Sequence, residues 1–352
     1  MSLKEMKTDN NSKKGKKRIE YIDIAKGICI IMLLLQHAHT YYKEVEILEF
    51  YAVSFRVPLF FILSGCFFSM YSGFKEFCVK KINTLLIPFF FFYFLFSVGL
   101  PNILHIVGYD GIRQASSLGW GSLLNFWTGT THSYSNNPVW FLISLFWLSV
   151  LFYVIRYICL KTKHPIFLTC LFSLLCGFIG ITLGVYKIHT PMHTDNALTA
   201  CPYFFLGFWL KNCVNVLDCK VRGMYLIIPI VLCLFVVYVL SPGIDFLGNC
   251  FPYDKAVQAY ICGVSGSVAI IGISYIIKHN KTLSFYGINT LVILCMQMPV
   301  LQPINIIVKR LGINDAYSFA LLTISALLVM NIVIYVYNRY LPWAIGKKAI
   351  IK

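Results

Sequence analysis

The chain has 352 residues, of which 58% are hydrophobic and only 12% charged, with a mean hydropathy of +0.73. A soluble globular domain carries about a quarter of charged residues, so the composition excludes one and reads as an all-α, polytopic integral membrane protein. The net charge of +16 does not point to nucleic acid, because the basic residues gather at the ends of apolar runs.

Residues 1–18 form a basic tail, with Lys13, Lys14, Lys16, Lys17 and Arg18 before the first apolar run. It is too polar to start a signal peptide and is expected to be disordered and cytoplasmic. The membrane domain is expected over 19–345, as about ten helical spans near 21–41, 48–71, 80–100, 139–160, 165–186, 197–211, 223–241, 257–277, 286–308 and 316–342. The sixth is short enough to be tilted or re-entrant. With the N-terminus inside, the cytoplasmic loops carry Lys75, Lys80 and Lys81, then Lys161 and Lys163, then Lys211, Lys220 and Arg222, then Lys278 and Lys281. The outer loops carry fewer: Lys43, Arg113, Lys187, Lys255, and Lys309 with Arg310. That asymmetry puts both termini in the cytoplasm of a cell (plasma or inner) membrane, including the basic tail 346–352 with Lys347, Lys348 and Lys352.

The longest connection, the outer loop 101–138, contains "GWGSLLNFWTG", whose Trp120 and Trp127 suit headgroup depth. No inverted repeat of the transporter kind is visible. Most of the thirteen cysteines fall inside apolar runs, and no CxxC pair occurs, so neither a redox motif nor a metal site is indicated.

Ionisable groups inside spans are costly, about 2.5–3.5 kcal/mol each on insertion scales, and mark function by default. Asp23, Lys26 and His37 lie in the first span and Arg56 in the second, with Glu49 and Arg339 near interfaces. Lys26 follows Asp23 by three residues and can pair with it. His37 follows Lys26 by eleven, close to three turns, so Asp23, Lys26, Ile30, Leu34 and His37 form one stripe. Lys26 and His37 are then about 16 Å apart along the axis. The plainer alternative is a snorkelling ion pair with a histidine bonded to a neighbouring carbonyl. His39 falls on another face. In the second span, Pro58 can open the hydrogen-bond ladder, Ser64 and Gly65 allow close backbone approach, and Arg56 points inward. Lys80 and Lys81, at the start of the third span, mark the inner face or bind a phosphate.

These stretches resemble the membrane-bound acyltransferase family 3, in particular its sugar O-acetyltransferase branch of fucose 4-O-acetyltransferase-like proteins. The resemblance spans nearly the whole chain. It runs through "YIDIAKGICIIMLLLQH", "VPLFFILSGCFF", "KKINTLLIPFFFF", "PVWFLISLFW", "DNALTACPYFFLGFWLK" and "LSFYGINTLVILCMQ", in that order. The chain departs from the family pattern twice. Thr84 stands where a second basic residue follows Lys81, and Gln297 stands where a histidine follows Gly287 and Asn289.

The resemblance implies transfer of an acyl group, acetyl in the ordinary case, from cytosolic acetyl-CoA to a hydroxyl of a cell-envelope sugar, glycan or lipid-linked sugar. It implies Lys26, Lys80 and Lys81 as contacts to the CoA phosphates, and His37 as general base on a stripe begun by Asp23. Arg56, Asn289 or Gln297 would serve the developing oxyanion. Asp195 and Trp140 are candidates for the acceptor, with a solvated loop carboxylate and an interfacial anchor as their plainer readings. Ser64 is a candidate contact, with helix packing as its plainer reading. The wider family also includes domains associated with small-molecule transport, in which Asp23, Lys26 and His37 would form a proton relay.

Overall fold

The computed structural model describes residues 18–42, 46–106, 137–213, 221–244 and 253–352. Most of the basic tail, the greater part of the loop 101–138 with Trp120 and Trp127, and Lys43, Arg113 and Lys220 lie outside the described residues. The described residues form helices joined by short connections. Nine helical segments among them are long and apolar enough to cross a membrane, which makes the protein a polytopic helical bundle.

In chain order the helices are α1 (Glu20–His39), α2 (Glu46–Ala52) and α3 (Arg56–Cys66). The long rod α4 (Phe74–Ile103) follows, then α5 (Trp140–Cys159), α6 (Pro165–Val185), α7 (Thr194–Asn212) and α8 (Ile227–Leu240). The last are α9 (Tyr253–Ile277), α10 (Lys281–Ile288), α11 (Thr290–Arg310) and α12 (Asp315–Tyr340).

Two expected spans are broken. The second is two helices, α2 and α3, with a non-helical turn at Val53–Phe55 between them. Pro58 therefore does not open a ladder in mid-span. It sits in the first turn of α3, where a missing N–H leaves no helical bond unmade. The ninth span divides at Asn289 (φ −111°, ψ 22°) into α10 and α11. α4 stays continuous but loosens into π-helical stretches at Ile82–Leu86 and Phe94–Gly99.

The expected sixth span is α7, and it is not one of the nine. Its first turns carry Thr194, Asp195, Asn196 and Thr199, which dilute its hydropathy. It nevertheless has 19 residues, about 28 Å of helix. Packed against α3, α5 and α6, it shows little of itself to lipid, so polar residues are tolerated. The opposite case is α8, whose apolar span is only 11% buried. α6 and α12 also turn mostly apolar side chains outward, as a lipid-facing rim requires. Several hydroxyls within spans are satisfied locally: Ser64, Ser149, Ser173, Ser267 and Ser274 each donate to the carbonyl four residues back.

Two glycine pairs set the tightest helix contacts. A methyl group on Gly27 of α1 would overlap the Leu283 carbonyl of α10, and one on Gly287 of α10 would overlap the Asp23 carbonyl of α1. The same reciprocity joins α3 and α7, where Gly65 meets the Phe204 carbonyl and Gly207 the Ile62 carbonyl. Backbones come this close only where both helices lack a Cβ at the crossing.

Gly27→Ala or Gly287→Ala is expected to lower stability by about 1–3 kcal/mol through overpacking. Gly73→Ala, with open space around it, should be near neutral. Thermal unfolding in detergent checks both, and equal midpoints for all three variants would refute the crossing's tightness.

Candidate functional site

A cavity of about 690 Å³ runs beside α1, within the usual range for small-molecule sites. Its wall takes Lys26, Ile30, Leu33, Gln36, His37 and Thr40 from α1 and the turn after it. That is one helical face, at steps of three and four residues. It is the expected stripe with Leu33 in place of Leu34 and without Asp23. α3 supplies Val57, Phe60, Leu63 and Ser64, and α4 supplies Lys81, Thr84 and Leu85. α5 adds Trp140, Phe141, Leu142 and Leu145, and α11 adds Thr290, Leu291 and Leu294.

One end is cationic. Lys26, in the second turn of α1, reaches the wall half-buried, with its Nζ 5.4 Å from the centre of the Phe67 ring, a cation–π contact. Lys81 reaches the same cavity from α4, its Nζ 5.8 Å from the Phe77 ring. Asp23 stands behind Lys26, away from the cavity. Its carboxylate accepts from Arg18 Nε at 2.5 Å and lies 3.9 Å from Lys26 Nζ. Asp23 is buried while Arg18 is exposed. Lys80 is exposed and does not line the cavity. Thr84 does, with its hydroxyl bonded to the Lys80 carbonyl at 2.9 Å.

The far end holds His37, near the close of α1, and Trp140, at the start of α5. Trp140 also meets the His193 ring at 5.9 Å. Arg56 lies behind the wall, 1% exposed, with Nη1 2.6 Å from Glu49 Oε2. Its charge is within electrostatic range of His37. His39 bonds the Tyr42 carbonyl at 3.1 Å instead.

The remaining expected residues lie off the wall. Asp195 is no solvated loop carboxylate: it is 2% exposed, 3.5 Å from His189 Nδ1, and its N–H donates to Thr190 Oγ1 at 2.7 Å. Asn289 ends α10 and accepts from Asn338 Nδ2 at 2.9 Å and Lys347 Nζ at 2.8 Å. Gln297 is wholly buried in α11, its Nε2 3.3 Å from the Leu294 carbonyl. Gln36, Thr40, Ser64, Thr84 and Thr290 are the uncharged amide and hydroxyl side chains that line the cavity.

Sequence reasoning passed over Gln36 and Thr40, which share the His37 face by spacing alone. It also passed over Arg156, buried in the last turn of α5, 5.2 Å above the Phe208 ring. Its place near a span's end makes it read as a flank. The turn before α7, with Met192 and His193 both left-handed at φ 57° and 55°, has no signal in the sequence.

A cavity with cations at one end, an apolar middle and an imidazole at the other suits a long amphipathic anion and a proton transfer at its far tip. The family model described as an acyltransferase domain matches residues 19–339. No curated protein and no solved structure matches the chain.

Removing Arg56 leaves Glu49 inside the bundle without its partner. Arg56→Met is expected to cost about 3 kcal/mol, and Arg56→Met with Glu49→Gln to recover most of it. Unfolding midpoints of the two variants decide this, and an unaffected Arg56→Met protein would show that the pair carries no such strain.

Proposed function

Because the chain belongs to the acyltransferase 3 family, we propose that this membrane acyltransferase is an O-acetyltransferase, moving acetyl from cytosolic acetyl-CoA to a hydroxyl of a cell-envelope sugar or lipid-linked glycan. The observation that carries this reading is that Lys26, Lys81 and His37 share one cavity. The positive-inside arrangement of lysines supports a cytoplasmic N-terminus, and with it a cytosolic opening for the Lys26 and Lys81 end.

The residues fit the donor. Its nucleotide is polyanionic, and Lys26 and Lys81 offer charge-assisted hydrogen bonds to phosphate. Ile30, Leu33 and Leu63 offer an apolar wall to its narrow arm. Asp23 is a positioning residue in this scheme, holding Lys26 without reaching the cavity. His37 takes the proton of the attacking hydroxyl as the new C–O bond forms, the C–S bond breaks, and the proton passes to the departing thiolate. Trp140, at the His37 end, gives the acceptor sugar an aromatic face, and Ser64 a hydroxyl. Asp195, Asn289, Gln297, Arg56 and Lys80 act from behind or beside the wall in this scheme.

Acetyl-CoA consumption in membranes carrying the native acceptor tests the reading. His37→Ala should lose about 10²–10⁴-fold in turnover, and Lys26→Ala should raise the acetyl-CoA requirement about tenfold with a smaller loss of maximal rate. A His37→Ala protein as active as wild type would sink the mechanism. Absence of acetyl-CoA consumption by wild type, with His37 instead controlling solute uptake, would turn the reading to transport.

A further inference from the structure

Residues 341–352 fold back on the bundle rather than leaving it. Ala344 and Ile345 are buried, and the Trp343 ring packs edge-on against Phe91 at 5.2 Å. Asn83 clasps the end of the segment: its Oδ1 accepts from the N–H groups of Ile350 at 2.7 Å and Ile351 at 3.0 Å, and its Nδ2 donates to the Ile351 carbonyl at 2.8 Å. Gly346, left-handed at φ +68°, lies against the Thr84 backbone, where a Cβ would stand 2.9 Å from Thr84 Cα. Thr84 is a cavity residue.

The next residue is Lys347. Its Nζ donates to Asn289 Oδ1 at 2.8 Å and Asn338 Oδ1 at 2.5 Å. Asn289 directly precedes Thr290 and Leu291, which also line the cavity. Lys347 does not itself line the cavity, but its ammonium is held by Asn289, next to the cavity residue Thr290, and the residue before it, Gly346, rests on the cavity residue Thr84. Two amide oxygens orient it but leave its charge intact, and among the described residues one of its three N–H donors has no partner. Among the described residues no carboxylate pairs with it. Burial, and then the Arg18 charge, hold its pKa below the ordinary lysine value. The attraction of an anion at this point would oppose both effects.

We propose that Lys347 determines specificity in the donor site, giving its third N–H to a phosphate of the acyl-CoA nucleotide, with Asn289 and Asn338 as positioning residues. The inference rests on the acyl-CoA reading given above. The shared chemistry is a phosphate, and an anionic lipid headgroup offers the same group.

Binding of CoA and of pantetheine, which lacks the nucleotide phosphates, to the purified protein in phosphatidylcholine nanodiscs separates the outcomes without needing the acceptor. Wild type should bind CoA more tightly than pantetheine. Lys347→Gln, which keeps a hydrogen-bonding side chain, and Lys347→Met should both weaken CoA about tenfold and leave pantetheine unchanged, while Lys347→Arg restores CoA. Equal weakening of both ligands means a structural role and overturns the proposal, as does unchanged CoA affinity or no CoA binding by wild type. Loss of CoA binding by wild type alone on adding phosphatidylglycerol would assign the site to a lipid headgroup and overturn it too. If the CoA pattern holds while membranes consume no acetyl-CoA, acyl transfer falls and the Lys347 site stands. If turnover depends on His37 but CoA binding ignores Lys347, only this inference falls.

Discussion

Everything in the site depends on how closely α1 can approach α10. Gly27 and Gly287 remove the side chains at that crossing, so each backbone rests on a carbonyl of the other helix. In lipid there is no hydrophobic drive between helices, and close van der Waals contact of small residues takes its place. With one face of α1 committed to α10, the face carrying Lys26, Ile30 and His37 is turned to α3, α4, α5 and α11, and the cavity opens there. A second reciprocal pair, Gly65 with Gly207, fixes α3 against α7 on the other side of that cavity's wall. The two crossings are covalently distant and mechanically alike.

Charge inside the bundle is handled in more than one way: Arg56 is paired with a carboxylate, Arg156 lies over the Phe208 ring, and Lys26 and Lys81 reach the cavity. Arg56 and Glu49 face each other across the break between α2 and α3, an arrangement that costs desolvation on both sides but holds the break's geometry. Asp23 is shared between Arg18 and Lys26 at unequal distances, 2.5 and 3.9 Å. Arg18 takes the near position, so Lys26 is only loosely paired with Asp23. Lys81 rests near an aromatic ring, which orients a cation without neutralising it. Among the described residues, the only carboxylate paired with the two cavity lysines is Asp23, 3.9 Å from Lys26.

The break at Val53–Phe55 and the one at Asn289 show where reading the chain residue by residue fell short. Hydropathy sees both spans as continuous, because Val53, Phe55 and Leu291 are as apolar as their neighbours. The signal in each case was a polar or proline residue with two meanings. Pro58 fits mid-helix kinks and first turns equally well, and Asn289 fits a ligand contact and a helix end equally well. Only the neighbours decide, and here Asn289 is engaged by Asn338 and Lys347 from parts of the chain far away in sequence.

Composition and the length of the apolar runs determined that the chain is a helical membrane protein, because about twenty apolar residues crossing hydrocarbon must satisfy their own backbone hydrogen bonds as a helix and the charge is too sparse for a soluble surface. Spacing alone put Lys26 and His37 on one face, since a helix repeats every 3.6 residues whatever surrounds it. Tertiary structure decided which partners met that face. Lys81, Ser64 and Trp140 arrive at the cavity; Lys80, Asn289, Gln297 and Asp195 do not line it. Helical periodicity fixes direction within one helix, but the rotation of each helix about its axis is set by packing against the others. In this protein that rotation was fixed by glycine crossings and by a C-terminal segment whose contacts join residues more than 260 positions apart.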